Sequence, residues 1–162
     1  MRFKQLFSFF KEENDYDFTG SYTALEVAKH IIDKCSTDNK LITNLQLQKI
    51  LYYVQRFFLQ KQKRALFSDE IEAWQFGPVV KEVYDYFCGS GAMTIYYIQI
   101  GGTSIATEDA ILIDKIVEEK RELNAWAMVK DTHEKGKAWD LIYQDGLGYK
   151  EVIPKRLIAE NG

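Results

Sequence analysis

The segment from Leu45 to Lys63 most strongly constrains the fold, because its apolar residues recur at helical spacing. At roughly 100° per residue they form one stripe about 120° wide. The stripe consists of Leu47, Ile50, Leu51, Val54, Phe57 and Phe58. Thr43 and Gln46 precede it at the spacing of a capping box, in which each side chain satisfies a free backbone donor of the other residue. We therefore expect a long helix with one deeply packed face.

Shorter amphipathic segments on either side of this helix predict further helices. Thr23 and Glu26 repeat the capping-box spacing before a segment that runs to about Cys35. Gly77 and Pro78 precede an apolar and charged pattern, which favours placing the proline in the first turn of a helix. A further helix is predicted to begin at Thr107, and two more are predicted over Leu123 to Asp131 and Ala138 to Tyr143. A last helical turn is predicted after Pro154.

One segment, TIYYIQIGGTSI at residues 94–105, is the strongest candidate for β-structure, because it is rich in β-branched and aromatic residues. Its Gly101-Gly102 pair matches a two-residue hairpin turn. Two short extended pieces around Ser68-Asp69 are a second candidate. The predicted fold is therefore mainly α, a compact helical bundle with one small β-hairpin.

The length of 162 residues and the hydrophobic content of 46% indicate one domain with its own core. We expect residues 22–162 to form this domain and residues 1–21 to be an N-terminal extension. The extension carries apolar residues at helical spacing, namely Phe3, Leu6, Phe7 and Phe10. No stretch approaches the roughly 18 apolar residues of a membrane span, and the N-terminal apolar run is too short for a signal peptide. A cytoplasmic location without membrane contact is therefore expected.

The sequence contains no convincing catalytic, metal or cofactor motif. Cys88 with His133 as its base is the one conceivable nucleophile pair, and no third orienting group accompanies it. His30 and His133 are isolated, whereas a structural zinc site needs four clustered nitrogen or sulfur ligands. Cys35 and Cys88 are too far apart for a CxxC motif and are expected to be buried free thiols. We expect a protein that is not an enzyme and has no catalytic residues, no metal and no cofactor.

Charge is distributed unevenly along the chain. The net charge of −3 excludes a generally basic nucleic-acid binder, yet residues 40–64 contain six basic side chains and no acid. On the long helix, Lys49 and Arg56 lie opposite the core stripe, with Tyr52 between them. Two interpretations remain open, because this face either packs inside the domain or docks a protein or nucleic-acid partner. Trp74 carries the same two interpretations, as a core residue or an interface anchor.

Three motifs occur in order: LQLQKILYYVQRFFL at 45–59, EIEAWQFGPVVKEVYDYF at 70–87 and the looser DTHEKGKAWDL at 131–141. Together they resemble the Panacea antitoxin domain, a SocA-like, phage-associated family, over roughly residues 22–143. The family positions fall on Leu47, Gln48, Lys49, Leu51, Tyr52, Tyr53, Ala73, Trp74, Gly77, Pro78, Val79, Tyr84, Thr132, His133 and Trp139. Ala138 stands where the family commonly has proline, and Phe76 replaces the more usual tyrosine.

This resemblance implies a non-enzymatic antitoxin that neutralises a cognate toxin by direct protein–protein binding. It also implies a variant of that role, since one branch of the family is a proteolytic adaptor that presents its toxin to a AAA+ protease. The alternative is a nucleic-acid-binding autoregulator of its own operon, motivated by the basic stretch at 40–64. The expected partner-binding residues are Lys49, Tyr52, Tyr53, Arg56 and Trp74, and the other motif residues are expected to be structural.

Overall fold

The computed structural model describes residues 16–162, and it confirms a mainly helical fold with small antiparallel sheets. The helices are α1 (Ala24–Thr37), α2 (Asn44–Gln62), α3 (Lys81–Phe87), α4 (Thr107–Lys120), α5 (Ala125–Thr132), α6 (Ala138–Tyr143) and α7 (Lys155–Asn161). The strands are β1 (Ile42–Thr43), β2 (Ile71–Trp74), β3 (Gly77–Val79), β4 (Thr94–Ile95) and β5 (Val152–Ile153). The predicted helical stripe at Phe3, Leu6, Phe7 and Phe10 lies outside the described residues.

Helix α2 lies at the centre of the domain, where α1, α3, α4, α5, α7 and strand β3 all pack against it. Its predicted capping box is present: Gln46 N–H donates to the Thr43 hydroxyl at 3.2 Å, and the Gln46 side chain accepts from Thr43 N–H at 2.9 Å. The predicted box of Thr23 and Glu26 likewise opens α1. Most of the apolar stripe of α2 is fully buried, and only Phe57 is partly exposed.

The β-hairpin forms at a different place from the predicted one. Strands β2 and β3 pair antiparallel, with Trp74 opposite Gly77, and β5 joins the other edge of β2. The prediction that Pro78 begins a helix is therefore wrong, since it lies within β3 and α3 begins at Lys81. An edge strand accepts proline where its nitrogen points away from the neighbouring strand, because the missing N–H then removes no bond between the strands.

The TIYYIQI segment does not fold back into the predicted hairpin. Only β4 within it is paired, antiparallel to β1, and the chain passes through Gly101-Gly102 without a returning strand. The N–H groups of Tyr97 and Gln99 instead donate to Ser36 Oγ at 3.0 Å and Asp33 Oδ1 at 2.7 Å, both on α1. Side-chain acceptors of a helix thus replace the expected second strand.

Residues 16–22 run alongside the chain that follows α2. Parallel bridges join Asp17 to Arg64 and Tyr22 to Phe67. The Arg64 guanidinium also pairs with the Asp109 carboxylate of α4 at 2.5 Å. The described part of the predicted extension is therefore attached to the domain by main-chain pairing.

Candidate functional site

The three sequence motifs meet beneath the β2–β3 hairpin. The side chain of Lys49 is fully buried, and its Nζ donates a hydrogen bond to the Pro78 carbonyl at 3.0 Å. Gly77, with φ of +105°, leaves room for this contact, because a Cβ there would lie 2.9 Å from both Lys49 Nζ and Thr132 Oγ1. Lys49, Gly77 with Pro78, and Thr132 come from the first, second and third motif. One buried contact therefore joins all three.

Gln48 and Asn44 fasten the start of α3 to α2. Gln48 Oε1 accepts from Val80 N–H at 2.9 Å, and Gln48 Nε2 donates to Asn44 Oδ1 at 3.0 Å. Asn44 Nδ2 in turn donates to the Tyr84 carbonyl at 3.1 Å. Val80 is the N-cap of α3 and has no capping side chain of its own. Gln48 therefore accepts, from another helix, the N-cap N–H that the third helical residue of a capping box normally satisfies.

The third motif supports the hairpin through a stack of rings. His133 and Trp139 lie parallel with ring centroids 3.6 Å apart, and Trp139 also stacks on Tyr143 at 4.4 Å. Trp139 Nε1 donates to the Trp74 carbonyl at 2.8 Å. Buried Trp139 thus has a packing role with its indole donor satisfied, and it holds strand β2 from the side of α6.

Burial changes the ionisation of the groups in this cluster. Burial lowers the pKa of Lys49 to about 7, and no carboxylate among residues 16–162 pairs with its amine. Burial also lowers the pKa of His133, and the Lys49 ammonium adds to this effect whenever it is protonated. A neutral amine still donates a hydrogen bond to Pro78, without the cost of a buried charge. Because Lys49 is sealed from solvent, its amine cannot reach a substrate.

The predicted basic docking face is not a surface. Lys49, Tyr52 and Tyr53 are all buried, and the Tyr53 hydroxyl donates to Asp131 Oδ2 at 2.6 Å. These three side chains have almost no exposed surface, because α2 is covered on both faces, and their role in partner binding stays a prediction. Arg56 is half-buried over the Tyr53 ring, 4.8 Å from its centroid, and its proposed role in binding stays a prediction.

A groove of about 480 Å³ lies between the hairpin, the first turns of α2 and helix α3. Its apolar and aromatic lining residues are Leu45, Trp74, Phe76, Val79, Tyr84, Cys88, Ala92 and Tyr149. The ring of Trp74 packs against Tyr84 at 5.1 Å and Tyr149 at 6.4 Å. Phe76, Tyr84 and Tyr149 are 46%, 38% and 49% exposed, so their rings are available to a partner. Contiguous exposed aromatic rings are typical of protein–protein interfaces.

Polar groups border this aromatic groove. Trp74 Nε1 donates to Glu72 Oε2 at 2.7 Å, and Lys150 Nζ lies 5.3 Å from the ring centroids of both Trp74 and Tyr149. An aromatic centre with a polar rim is the arrangement of interface hot spots. Beyond the groove, Phe76 contacts the exposed ring of Trp126 at 5.4 Å.

The aromatic groove was only partly predictable. Trp74 was expected to bind a partner and lies at the groove's centre, but Tyr84 was assigned a structural role. The sequence marks Phe76 only as a replacement for tyrosine, and it indicates no functional role for Tyr149. Its position after the glycine-rich DGLG run indicates only a loop, so no local pattern links this ring to the hairpin.

Residues 16–162 contain neither a metal-ligand cluster nor a membrane-spanning helix, and one of their two cysteines is exposed. Residues 16–162 contain no group of three or more His, Cys, Asp or Glu side chains placed to hold a metal. Within the same range, no helix is both long enough and apolar enough to cross a bilayer. The expectation of two buried thiols is wrong for Cys88, which is exposed at the end of α3, whereas Cys35 is buried. His30 contacts Asp114 at 2.8 Å and Thr103 at 3.2 Å.

Comparison with known proteins identifies one family. The model of the antitoxin SocA-like Panacea domain matches residues 47–140, which include the buried contacts around Lys49 and most of the hairpin's supports. Antitoxin SocA of Caulobacter vibrioides (strain NA1000 / CB15N) is 30% identical over 133 residues, covering 75% of this chain and 71% of that protein. No solved structure gives a significant match.

Proposed function

The chain belongs to the SocA-like antitoxin family with a Panacea domain, and on this premise we propose that it neutralises a toxin by direct binding through the aromatic groove. The observation that carries the proposal is the exposure of Phe76, Tyr84 and Tyr149 around the Trp74 ring. The protein acts by binding, without catalysis, and the toxin is its partner.

The buried motif residues prepare this groove for binding. Lys49 and Gln48 hold main-chain atoms of Pro78 and Val80, and Trp139 holds the carbonyl of Trp74. These bonds fix the hairpin before a partner arrives. A rigid surface loses little conformational entropy on association, so more of the energy of burying the rings contributes to affinity.

Co-expression with the adjacent open reading frame tests the proposal. We expect its product to be toxic alone and harmless with this chain, and we expect the two purified proteins to form a complex. Phe76→Ala and Tyr149→Ala should each weaken that complex about tenfold or more, because each removes an exposed ring. Ile111→Ala, at a 63% exposed site on α4, is the matched control and should bind as the wild type does.

Two results would contradict different parts of the proposal. A neighbouring product that is harmless alone and forms no complex would remove the antitoxin role for that pair. A complex whose affinity is unchanged in both ring variants would keep the antitoxin role and remove the aromatic groove as its contact surface. Circular-dichroism melting curves should show that the variants remain folded, since both rings are exposed.

The proteolytic-adaptor role is separated by measuring the toxin itself. Direct neutralisation predicts that purified antitoxin inhibits purified toxin with no protease present, and that toxin abundance in cells stays constant. An adaptor would instead lower toxin abundance in cells and leave the purified toxin active.

The nucleic-acid alternative has less support in the structure than in the sequence. The basic stretch 40–64 is not one surface: Lys49 is buried, Arg64 pairs with Asp109, and Lys40 lies 3.6 Å from Glu122. We therefore expect no gel shift of the chain's own promoter at low salt, where phosphate contacts are strongest. A salt-sensitive shift would favour the autoregulator instead.

A further inference from the structure

A row of apolar side chains is exposed in the segment that follows β4. Tyr96, Ile98 and Ile100 are 71%, 43% and 98% exposed, whereas the intervening Tyr97 and Gln99 are half-buried. This alternation has the two-residue period of an extended strand. The segment thus turns one apolar face outward, although within residues 16–162 it forms no strand pair beyond β4.

The main chain of this segment has one satisfied side and one open side. The N–H groups of Tyr97 and Gln99 donate to α1 side chains, and successive N–H groups of an extended chain point in opposite directions. The N–H groups of Tyr96 and Ile98 therefore point away from α1. No hydrogen bond within residues 16–162 engages either of them.

This open edge lacks the features that usually prevent strand pairing. Proteins protect edges with charged side chains, proline or bulges. Between Asp85 and Glu108 the sequence contains no charged residue and no proline. The segment's own side chains therefore oppose an approaching strand neither by charge nor by a proline.

We propose that this edge pairs with the same edge of a second copy of the chain, as antiparallel strands related by a two-fold axis at Ile98. In that register Ile98 faces its own counterpart and Tyr96 faces the counterpart of Ile100. In such a pair each residue donates its N–H to the C=O of the residue that faces it, so the open N–H groups of Tyr96 and Ile98 gain acceptors. Every exposed position of the row then meets an apolar side chain, as an isologous interface requires.

The available area supports a second copy as the occupant. With roughly 200 Å² for a fully exposed side chain of this size, the row offers on the order of 400 Å² per protomer. A standard interface buries roughly 800 Å² per partner, so with the paired main chains this contact falls in the size range of a weak, concentration-dependent dimer. The dimer is independent of the aromatic groove and of the antitoxin role.

Sedimentation of the purified full-length chain over a wide concentration range tests the dimer. We expect the mass at high concentration to be twice the 18.9 kDa of one chain. Ile100→Lys should raise the dimer dissociation constant at least tenfold, because it places two ammonium groups in the apolar interface. Its side chain is almost fully exposed, so the fold should be unaffected. Ile111→Lys, an equally non-conservative change at an exposed isoleucine of α4, should dimerise like the wild type.

Amide hydrogen exchange supplies a second, main-chain readout. The amides of Tyr96 and Ile98 should exchange slowly at high concentration and quickly on dilution. A monomer at all concentrations, or an Ile100→Lys variant that dimerises normally, would overturn the proposal. Protection that does not depend on concentration would assign the edge to another segment of the same chain, and protection seen only with added toxin would assign it to the toxin.

Discussion

Replacing Lys49 with methionine should change how the stability of the domain depends on pH. The buried Lys49 amine has a pKa of about 7 in the folded chain, compared with 10.5 for a solvated lysine. Between these values the unfolded chain binds a proton that the folded chain does not. The free energy of unfolding of the wild type therefore rises with pH in this interval, by the linkage of proton binding to folding.

The size of the effect follows from the two pKa values. From about pH 7.5 to 9.5 the Lys49 proton contributes about 2.5 kcal/mol to the rise in the free energy of unfolding. Methionine has no proton to lose, so the free energy of unfolding of Lys49→Met lacks this rise. The free energy of unfolding of the variant minus that of the wild type should therefore fall by this amount as the pH rises from about 7.5 to 9.5. Loss of the hydrogen bond to the Pro78 carbonyl adds a destabilisation of about 1–3 kcal/mol that does not depend on pH.

Equilibrium urea unfolding followed by circular dichroism at several pH values measures this difference. Tyrosines and cysteines titrate equally in both proteins, so their contributions cancel in the subtraction. Lys115→Met, at an exposed position of α4, is the control and should show no such slope. A difference between Lys49→Met and the wild type that is constant with pH would refute the reasoning, because Lys49 would then be charged in the folded state.

Three further outcomes are expected. Gly77→Ala should lower the free energy of unfolding in urea by about 2 kcal/mol or more, because its Cβ would lie 2.9 Å from Lys49 Nζ in a backbone with positive φ. Gly89→Ala is the control and should be nearly neutral, because nothing lies within 4 Å of a Cβ there. Equal losses of stability in the two variants would contradict the packing around Gly77. Gln48→Ala should lower the melting temperature, costing about 1–3 kcal/mol, since the buried Val80 N–H loses its acceptor; an unchanged melting curve would show that water replaces it. A maleimide should modify one thiol per native chain, at the exposed Cys88. Bound toxin should slow this reaction if it covers the groove that Cys88 lines. Modification of the buried Cys35 as well would mean that the core opens.

Local signals in the sequence predicted the helices well. The capping box and the apolar stripe of α2 depend on residues within four positions of each other, so they can be recognised without knowledge of the fold. The hairpin was placed wrongly because β-propensity cannot show which strand a segment pairs with. At residues 94–105, acceptors on α1 took the place of the expected partner strand.

The position of a site residue was predictable from the sequence only where its burial or exposure matched what is usual for its residue type. Lys49 lies opposite the apolar stripe of α2, so the sequence leaves both a packed and a partner-docking position open, and nothing in α2 alone shows that the hairpin covers it. The sequence motifs do not show that Gly77, Pro78 and Thr132 lie beside Lys49, because these residues come from segments that are far apart in the sequence. Phe76 and Tyr149 were missed for the same reason.

Under the proposed function, the turn between β2 and β3 separates folding from recognition. Gln75 and Phe76 are exposed at its tip, while the polar bonds that hold the hairpin engage Trp74, Pro78 and Val80. A substitution at the tip therefore alters the surface offered to a partner and leaves those bonds intact. Such a scaffold can acquire a new binding specificity through one or two mutations at the tip. Because these mutations cost almost no stability, many different side chains are tolerated there.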